Sequence, residues 1–242
     1  MKRGSDKVGF LLVDGYDILG ASTELRDDVE AGTERGDGFS ETYERQVYTG
    51  IKRATLEQSG FYESNAAAVH QALSGQNGVS RIVNYAMEGN VLGQRAVGWQ
   101  GAMQTKYVRV ASRGALTRAN SSYAVHGHVD EGLVLATHAL REGDGDTEAT
   151  PLEGAQTTDG AAFYLQVSQL DLDGLASCVV TIRENDGGGW ADLVAFIPVT
   201  ATGAQRIFVD GTIEKDLAVT WAFTGLATES PSITFAVVAS RR

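Results

Sequence analysis

Leu11-Leu12-Val13-Asp14-Gly15-Tyr16-Asp17 opens the stretch that decides the fold, which runs through Gly60-Phe61-Tyr62 and a short helix to Leu73. Residues 8–13 read as a short apolar strand, and the Asp14-Gly15 pair as the turn that ends it. From Asp14 to Glu44 there are ten acidic residues and two arginines. Phe39, Tyr43 and Val47 recur at a spacing that a helix also shows. However, Thr42, Val47, Tyr48 and Thr49 favour strand, and Gly32, Gly36 and Gly38 favour a loop before them. The stretch therefore predicts a long acidic loop over residues 14–44 that leads into a strand through Thr49-Gly50-Ile51-Lys52 and Leu56. Structureless loops beyond ~15 residues are usually functional or disordered. A loop that orders against a neighbouring subunit suits both the charge and the embedded Phe39. The residues expected to carry that contact are Glu24, Asp27, Asp28, Glu30, Glu34, Asp37, Phe39 and Glu41.

One clear helix is predicted, over residues 64–74. Ser64 can cap its start. Ala66, Val69 and Leu73 form a narrow apolar stripe, and Gly75 suits its stop. At ~11 residues such a helix is marginal alone and must pack on a sheet. Beyond it, Val97, Trp99 and Met103 share a strand face opposite Gln100, Gln104 and Lys106. The apolar phase then shifts to Val108 and Val110, which predicts a bulge or bend. Tyr123, Val125 and Val129 make the next apolar face.

The run Glu142-Gly143-Asp144-Gly145-Asp146-Thr147-Glu148 has the composition of a linker. It places a boundary between a first unit, residues 1–145, and a second, residues 152–242. The second unit shows short strands at 163–167, 178–183, 193–197, 206–209, 218–223 and 233–238. Turns such as Asn185-Asp186-Gly187-Gly188-Gly189 separate several of them. This pattern argues for an antiparallel sandwich, with Trp221 and Phe223 on one core-facing side.

The chain has 242 residues, 43% hydrophobic, and a net charge of −11. Splitting it after Thr150 gives 15 basic against 20 acidic residues, then 5 against 11, so the halves carry −5 and −6. Neither half shows the basic footprint that nucleic-acid binding requires, although an acidic wall lets nucleic acid pass without sticking. No apolar run approaches the ~18–20 residues needed to cross a bilayer, and no apolar segment of signal-peptide type follows Met1-Lys2-Arg3-Gly4. A soluble protein made in the cytoplasm, without membrane insertion, is expected. The single cysteine, Cys178, excludes an intrachain disulfide. Its strand alternation with Val180 and Ile182 makes it a buried hydrophobe.

Chemical motifs are fragmentary. His126-Gly127-His128-Val129-Asp130-Glu131 approximates a metallo-hydrolase motif, but Glu131 stands at the final histidine and zinc needs three or four ligands. Alternation puts both histidines on the polar face of a half-buried strand. Asp171-Leu172-Asp173-Gly174 lacks the rest of a calcium loop and reads as a turn. Gly187-Gly188-Gly189 lacks the Lys-Ser/Thr of a phosphate loop. No carboxylate pair, Glu57 and Glu63 included, has a spacing that marks a glycosidase. The expectation is no enzyme, no metal and no cofactor.

Four stretches, in this order, resemble the opening of tailed-phage tail tube (major tail) proteins over roughly residues 8–136. They are Gly36-Asp37-Gly38-Phe39, Gly50-Ile51-Lys52-Arg53-Ala54-Thr55-Leu56, Gly60-Phe61-Tyr62-Glu63, and the helical residues 65–73. They match a Phe-Gly-Asp-like loop element, a Gly-Leu-Lys-like turn, a strand ending in Gly-Phe-(Phe/Tyr)-Asp, and a helix. Glu63 replaces the usual Asp. The resemblance implies a mainly β fold: a tail-tube-like β-sandwich or barrel with one short helix, followed here by a smaller antiparallel β-sandwich as decoration. It also implies a virion location, six copies joined in a ring, the acidic loop reaching the adjacent ring, other tail proteins as partners, and DNA passing through the channel without specific binding. Two alternatives stay open. One is a baseplate or head-decoration protein. The other is a cell-surface glycan-binding module, in which Trp190, beside the triple-glycine turn, stacks on a sugar; a strand-start core position is the plainer reading of Trp190.

Overall fold

The structure is a computed structural model, and it describes residues 8–35, 46–62, 69–147, 150–151, 156–225 and 230–242. The strands in chain order are β1 (Leu11–Val13), β2 (Tyr16–Asp17), β3 (Ser22–Arg35), β4 (Gln46–Phe61), β5 (Ser80–Tyr85), β6 (Arg95–Val110), β7 (Arg118–Val125) and β8 (Val129–Glu142). They continue as β9 (Gly145–Asp146), β10 (Thr150–Pro151), β11 (Ala161–Asp171), β12 (Ser177–Asn185), β13 (Trp190–Ala195), β14 (Gly203–Val209), β15 (Asp216–Thr224) and β16 (Ser232–Arg241). One helix, α1 (Val69–Leu73), lies between β4 and β5. Among the described residues all the strand ladders are antiparallel. The fold is therefore mainly β, as the sequence implies. Among the described residues no helix is long and apolar enough to cross a membrane.

The larger sheet runs β14-β11-β16-β8-β6-β5-β1-β2, with β7 also on β6, β4 on β7 and β3 on β4. The smaller runs β10-β15-β12-β13, with β9 on β15. The boundary expected near residues 145–152 thus falls between strands of one continuous sheet. β16, from the end of the chain, pairs with β8 from Ser232↔Glu142 to Ala239↔Leu133.

Period-two alternation explains how one sheet serves three cores. On β11, Phe163, Leu165 and Val167 face the smaller sheet, where Val180, Ile182, Leu217 and Val219 meet them. Ala162 and Tyr164 face the other way, into a core of Phe10, Leu12, Ala96, Val134, Ala236 and Val238. β16 divides likewise, with Phe235 and Val237 on one side and Ala236 and Val238 on the other. A strand buried on both faces needs an unbroken apolar run, and Phe235-Ala236-Val237-Val238-Ala239 supplies it. The third core lies on the opposite face of β1 and β5, where Leu11, Val13, Val83, Tyr85 and Trp99 meet Leu56, Tyr123, and Ala72 and Leu73 of α1.

The large sheet curls until β11 faces strands β1 and β5. Gln166 on β11 marks the closure. Its Oε1 accepts the Gly15 N–H at 2.7 Å, and its Nε2 donates to Ile82 O at 3.0 Å and Asn84 Oδ1 at 2.8 Å. Gly15 has φ 85°, and an added Cβ would sit 2.5 Å from Val167 O. The Asp14-Gly15 turn therefore both reverses the chain and lets it approach β11 closely.

Four local expectations change. Residues 22–35 form strand β3 instead of part of a loop. The described helix is Val69–Leu73, and the expected start at 64–68 lies outside the described residues. The irregularity in β6 falls between Gln104 and Lys106, before Tyr107. This turns Gln104 inward, where its Nε2 donates to Leu73 O at 3.0 Å and holds the end of α1. His126 and His128 lie in the turn between β7 and β8, both exposed, instead of within a strand.

β8 also carries a pH-sensitive contact. The His138 ring is 14% exposed, with Nε2 2.8 Å from Ser168 Oγ and Nδ1 3.7 Å from Asp17 Oδ2. Burial lowers its pKa below the usual imidazole value, while the Asp17 charge opposes that shift. The unfolded chain therefore takes up this proton first as pH falls. The contribution is fully present above about pH 6.5 and is lost as pH falls from there towards the lower folded value. His138→Gln is expected to remove that part of the acid slope, read as the difference between variant and wild type in urea unfolding at about pH 7.5 and 5.5. Parallel slopes would show that His138 does not titrate differently on folding.

Candidate functional site

β3 and β4 pair from Ser22↔Gly60 out to Arg35↔Gln46. β4 and β7 pair only from Phe61↔Arg118 to Thr55↔Ala124. Beyond Thr55 the hairpin thus runs past its third strand as a two-stranded arm. A lone two-stranded hairpin is at best marginally stable in water. β3 is also a sheet edge, since β4 is its sole neighbour among the described strands. It carries Glu24, Asp27, Asp28, Glu30 and Glu34 against Arg26 and Arg35. Charge is a standard guard on an exposed edge, and Val29, 50% exposed, is the apolar exception.

The base of the arm is tied inward. Leu25 packs on the core beneath. Asp27 Oδ2 accepts the Tyr85 hydroxyl at 2.7 Å, and Trp99 Nε1 donates to that hydroxyl at 3.4 Å. Burial, reinforced by Asp27, pushes the Tyr85 phenol far above its usual pKa, so it stays a donor. Asp27 therefore fastens the edge strand, a role the sequence does not reveal. Glu24, Arg26, Asp28 and Glu30 alternate with it on the outer side, and Arg26 pairs with Asp28 at 3.5 Å. Asp37, Phe39 and Glu41 lie outside the described residues.

The other sequence candidates stay apart from the arm. Trp190 begins β13 as expected; it is half-buried, and its carbonyl accepts from Arg183 Nη2 at 3.0 Å. His126 and His128 line an open cleft of 650 Å³ with Arg81, Gln100, Ile197 and Arg206. Among the described residues no group of three or more His, Cys, Asp or Glu side chains is placed to hold a metal. Cys178 is fully buried, and burial pushes its thiol up to about 12, so it is a packing residue and no nucleophile. Asp171 Oδ1 accepts the Asp173 N–H at 3.0 Å and Asn185 Oδ1 the Gly187 N–H at 2.8 Å, so both glycine-containing motifs are turns.

These features define a class: an antiparallel, two-sheet β protein whose edge strand β3 carries an excess of acidic residues. No protein-family model matches the chain, and no curated protein does. Among solved structures it is similar to a chain from the virion of a native gene transfer agent particle, at 10% identity and TM-score 0.44, covering 54% of this chain and 98% of that one. It is similar to a chain from the tail of an empty gene transfer agent particle with C6 symmetry, at 13% identity and TM-score 0.40, covering 53% and 97%. It is also similar to the SPP1 Dit protein of the phage hub adsorption apparatus, at 11% identity and TM-score 0.34, covering 96% and 99%.

Proposed function

We propose that this protein is a virion structural subunit of the tail-tube kind, a scaffold and not an enzyme. Copies join into a ring, six by the family resemblance, and rings stack around a channel that conducts DNA. The observation that carries this reading is the arm: β3 and β4 continue past Thr55 with no third strand among the described residues. A monomer gains little from such an element, because its outer backbone groups and its exposed Val29 find no cover among the described residues. In an assembly of copies the same element supplies a strand edge and a charged face to a neighbour.

Replacing Phe39 and its flanking acidic residues with a Gly-Ser linker is expected to leave a folded monomer that no longer polymerises. Electron microscopy at rising concentration reads the outcome, with six-fold rings or tubes expected for the wild type. Normal tube formation by the variant would sink the arm as a connector.

A further inference from the structure

The cleft between the β7–β8 turn and β14 differs in character from the chain around it. In a protein of net charge −11, this 650 Å³ space has no Asp or Glu among its described lining residues. Ser80, Gln100, His126, His128 and Arg206 line it instead, and Ile197 and Ile207 give part of its wall an apolar character. A volume of this size suits a small organic ligand. Gly127 lets the turn lie against β6, since an added Cβ there would sit 2.4 Å from Gln100 O. A Cβ on Gly101 would meet Ser80 Oγ at 3.2 Å and the His126 carbonyl carbon at 3.3 Å. The Ser80 hydroxyl and the histidine turn therefore converge on one spot.

Arg206 is the fixed point of this surface. Its Nε donates to the Tyr164 oxygen and its Nη2 to Asp130 Oδ2, each at 3.0 Å. Nη1 is left without a partner among the described residues, and 11% of the side chain stays exposed. Arg242 Nη2 also approaches Asp130, at 3.8 Å from Oδ1, so one carboxylate faces two guanidinium groups and does not cancel both. Arg81 adds no free charge, because it is buried and pairs with Asp14 at 3.7 Å. Ser80, His126 and His128 are exposed, and with Gln100 their side chains have no hydrogen-bond partner among the described residues. A hydroxyl, an amide and an imidazole each offer a donor, the imidazole in either protonation state. Donors gathered around a positioned guanidinium, with carboxylates kept off the wall, suit an oxyanion.

We infer that this cleft binds a small anionic ligand: a carboxylate or phosphate on a sugar-sized body, held by Arg206 Nη1 with His126 and His128 donating beside it. A bare inorganic anion fills little of the space, and the isoleucines suit the C–H surface of a larger body. This goes beyond the tube reading, which requires no ligand.

Proton NMR of the full chain at fixed pH and low salt reads the site directly, because the four histidines are His70, His126, His128 and His138. Glucose 6-phosphate or glucuronate is expected to shift the His126 and His128 ring signals, leave those of His70 and His138 in place, and saturate with a Kd on the order of 1 mM. A response to one of the two alone assigns the phosphate or the carboxylate as the recognised group. Glucose, which lacks an oxyanion, should bind at least about tenfold more weakly. Inorganic phosphate that binds as tightly as glucose 6-phosphate would overturn the sugar-sized ligand. Ile197 is 72% exposed, so Ile197→Lys and Ile197→Glu change the charge of the cleft with little effect on the fold. One charge at about 7 Å in water is worth roughly threefold in affinity, so Lys should tighten and Glu weaken anion binding by about that factor. Arg206→Gln should weaken it by about tenfold; because that change also disturbs the Asp130 contacts, the Ile197 pair decides. Equal affinity of the two Ile197 variants, shifts at His70 or His138 in place of the turn histidines, or no shift at about 50 mM ligand would overturn the assignment.

Discussion

Asp130→Ala is expected to lower the unfolding free energy by about 3–5 kcal/mol, the usual cost of leaving a buried partner charge alone. Asp130 is the second residue of β8, and its side chain is 8% exposed against 11% for Arg206. Its Oδ2 accepts the Tyr164 hydroxyl at 2.5 Å and the Arg206 Nη2–H at 3.0 Å, while Arg206 Nε donates to the Tyr164 oxygen at 3.0 Å. Arg242 Nη2 stands 3.8 Å from the other carboxylate oxygen. The three side chains therefore form a closed ring of hydrogen bonds that joins β8 to β11 and β14. Truncating Asp130 strands a guanidinium and a phenol together, whereas Tyr164→Phe removes one hydroxyl and leaves the ion pair, at about 1 kcal/mol. Urea midpoints of the two variants give the comparison. If Asp130→Ala lost no more than Tyr164→Phe, this network would not be what fastens the two halves of the chain.

That fastening explains which parts of the fold were legible in the sequence. Strands β11, β12 and β16 announce themselves because apolar alternation or an unbroken apolar run sits between turns rich in Asp, Asn and Gly. β3 is hidden for the opposite reason. Asp and Glu are poor strand formers on propensity alone, yet an edge strand needs charge, so Glu24-Leu25-Arg26-Asp27-Asp28 reads as loop. Asp27 gives no local sign that it will hold Tyr85, 58 positions away. The merging of the two expected units is equally silent, because burial on both faces of β8 and β16 shows that each needs neighbours without saying which.

Gly132→Val is expected to be the most damaging single substitution at this seam, costing more than about 3 kcal/mol, the upper end for ordinary overpacking. A Cβ at Gly132 would land on the Ala239 carbonyl oxygen, with the Ala239 carbonyl carbon at 2.7 Å and Ser240 Cα at 2.9 Å. All three are backbone atoms of β16, so no rotamer change relieves the clash and the strands must separate. Separation is costly here. Gly132 is also paired with Ala96 on β6, and the adjacent pair Leu133↔Ala239 ends the β8–β16 ladder. Just beyond it the Ser240 hydroxyl donates to Glu131 O at 2.5 Å, a bond the same movement breaks. A loss of that size is a large share of the roughly 5–15 kcal/mol that holds a typical domain together. Gly132→Ala meets the same atoms and should fall near the low end of the same effect. Gly20→Ala, with nothing within 4 Å of its added Cβ, should stay within about 0.5 kcal/mol of wild type. Thermal or urea unfolding of the three variants decides the matter. A Gly132→Val protein as stable as Gly20→Ala would mean that β8 and β16 do not approach as closely as this seam requires, and the two halves of the chain would then be separable units.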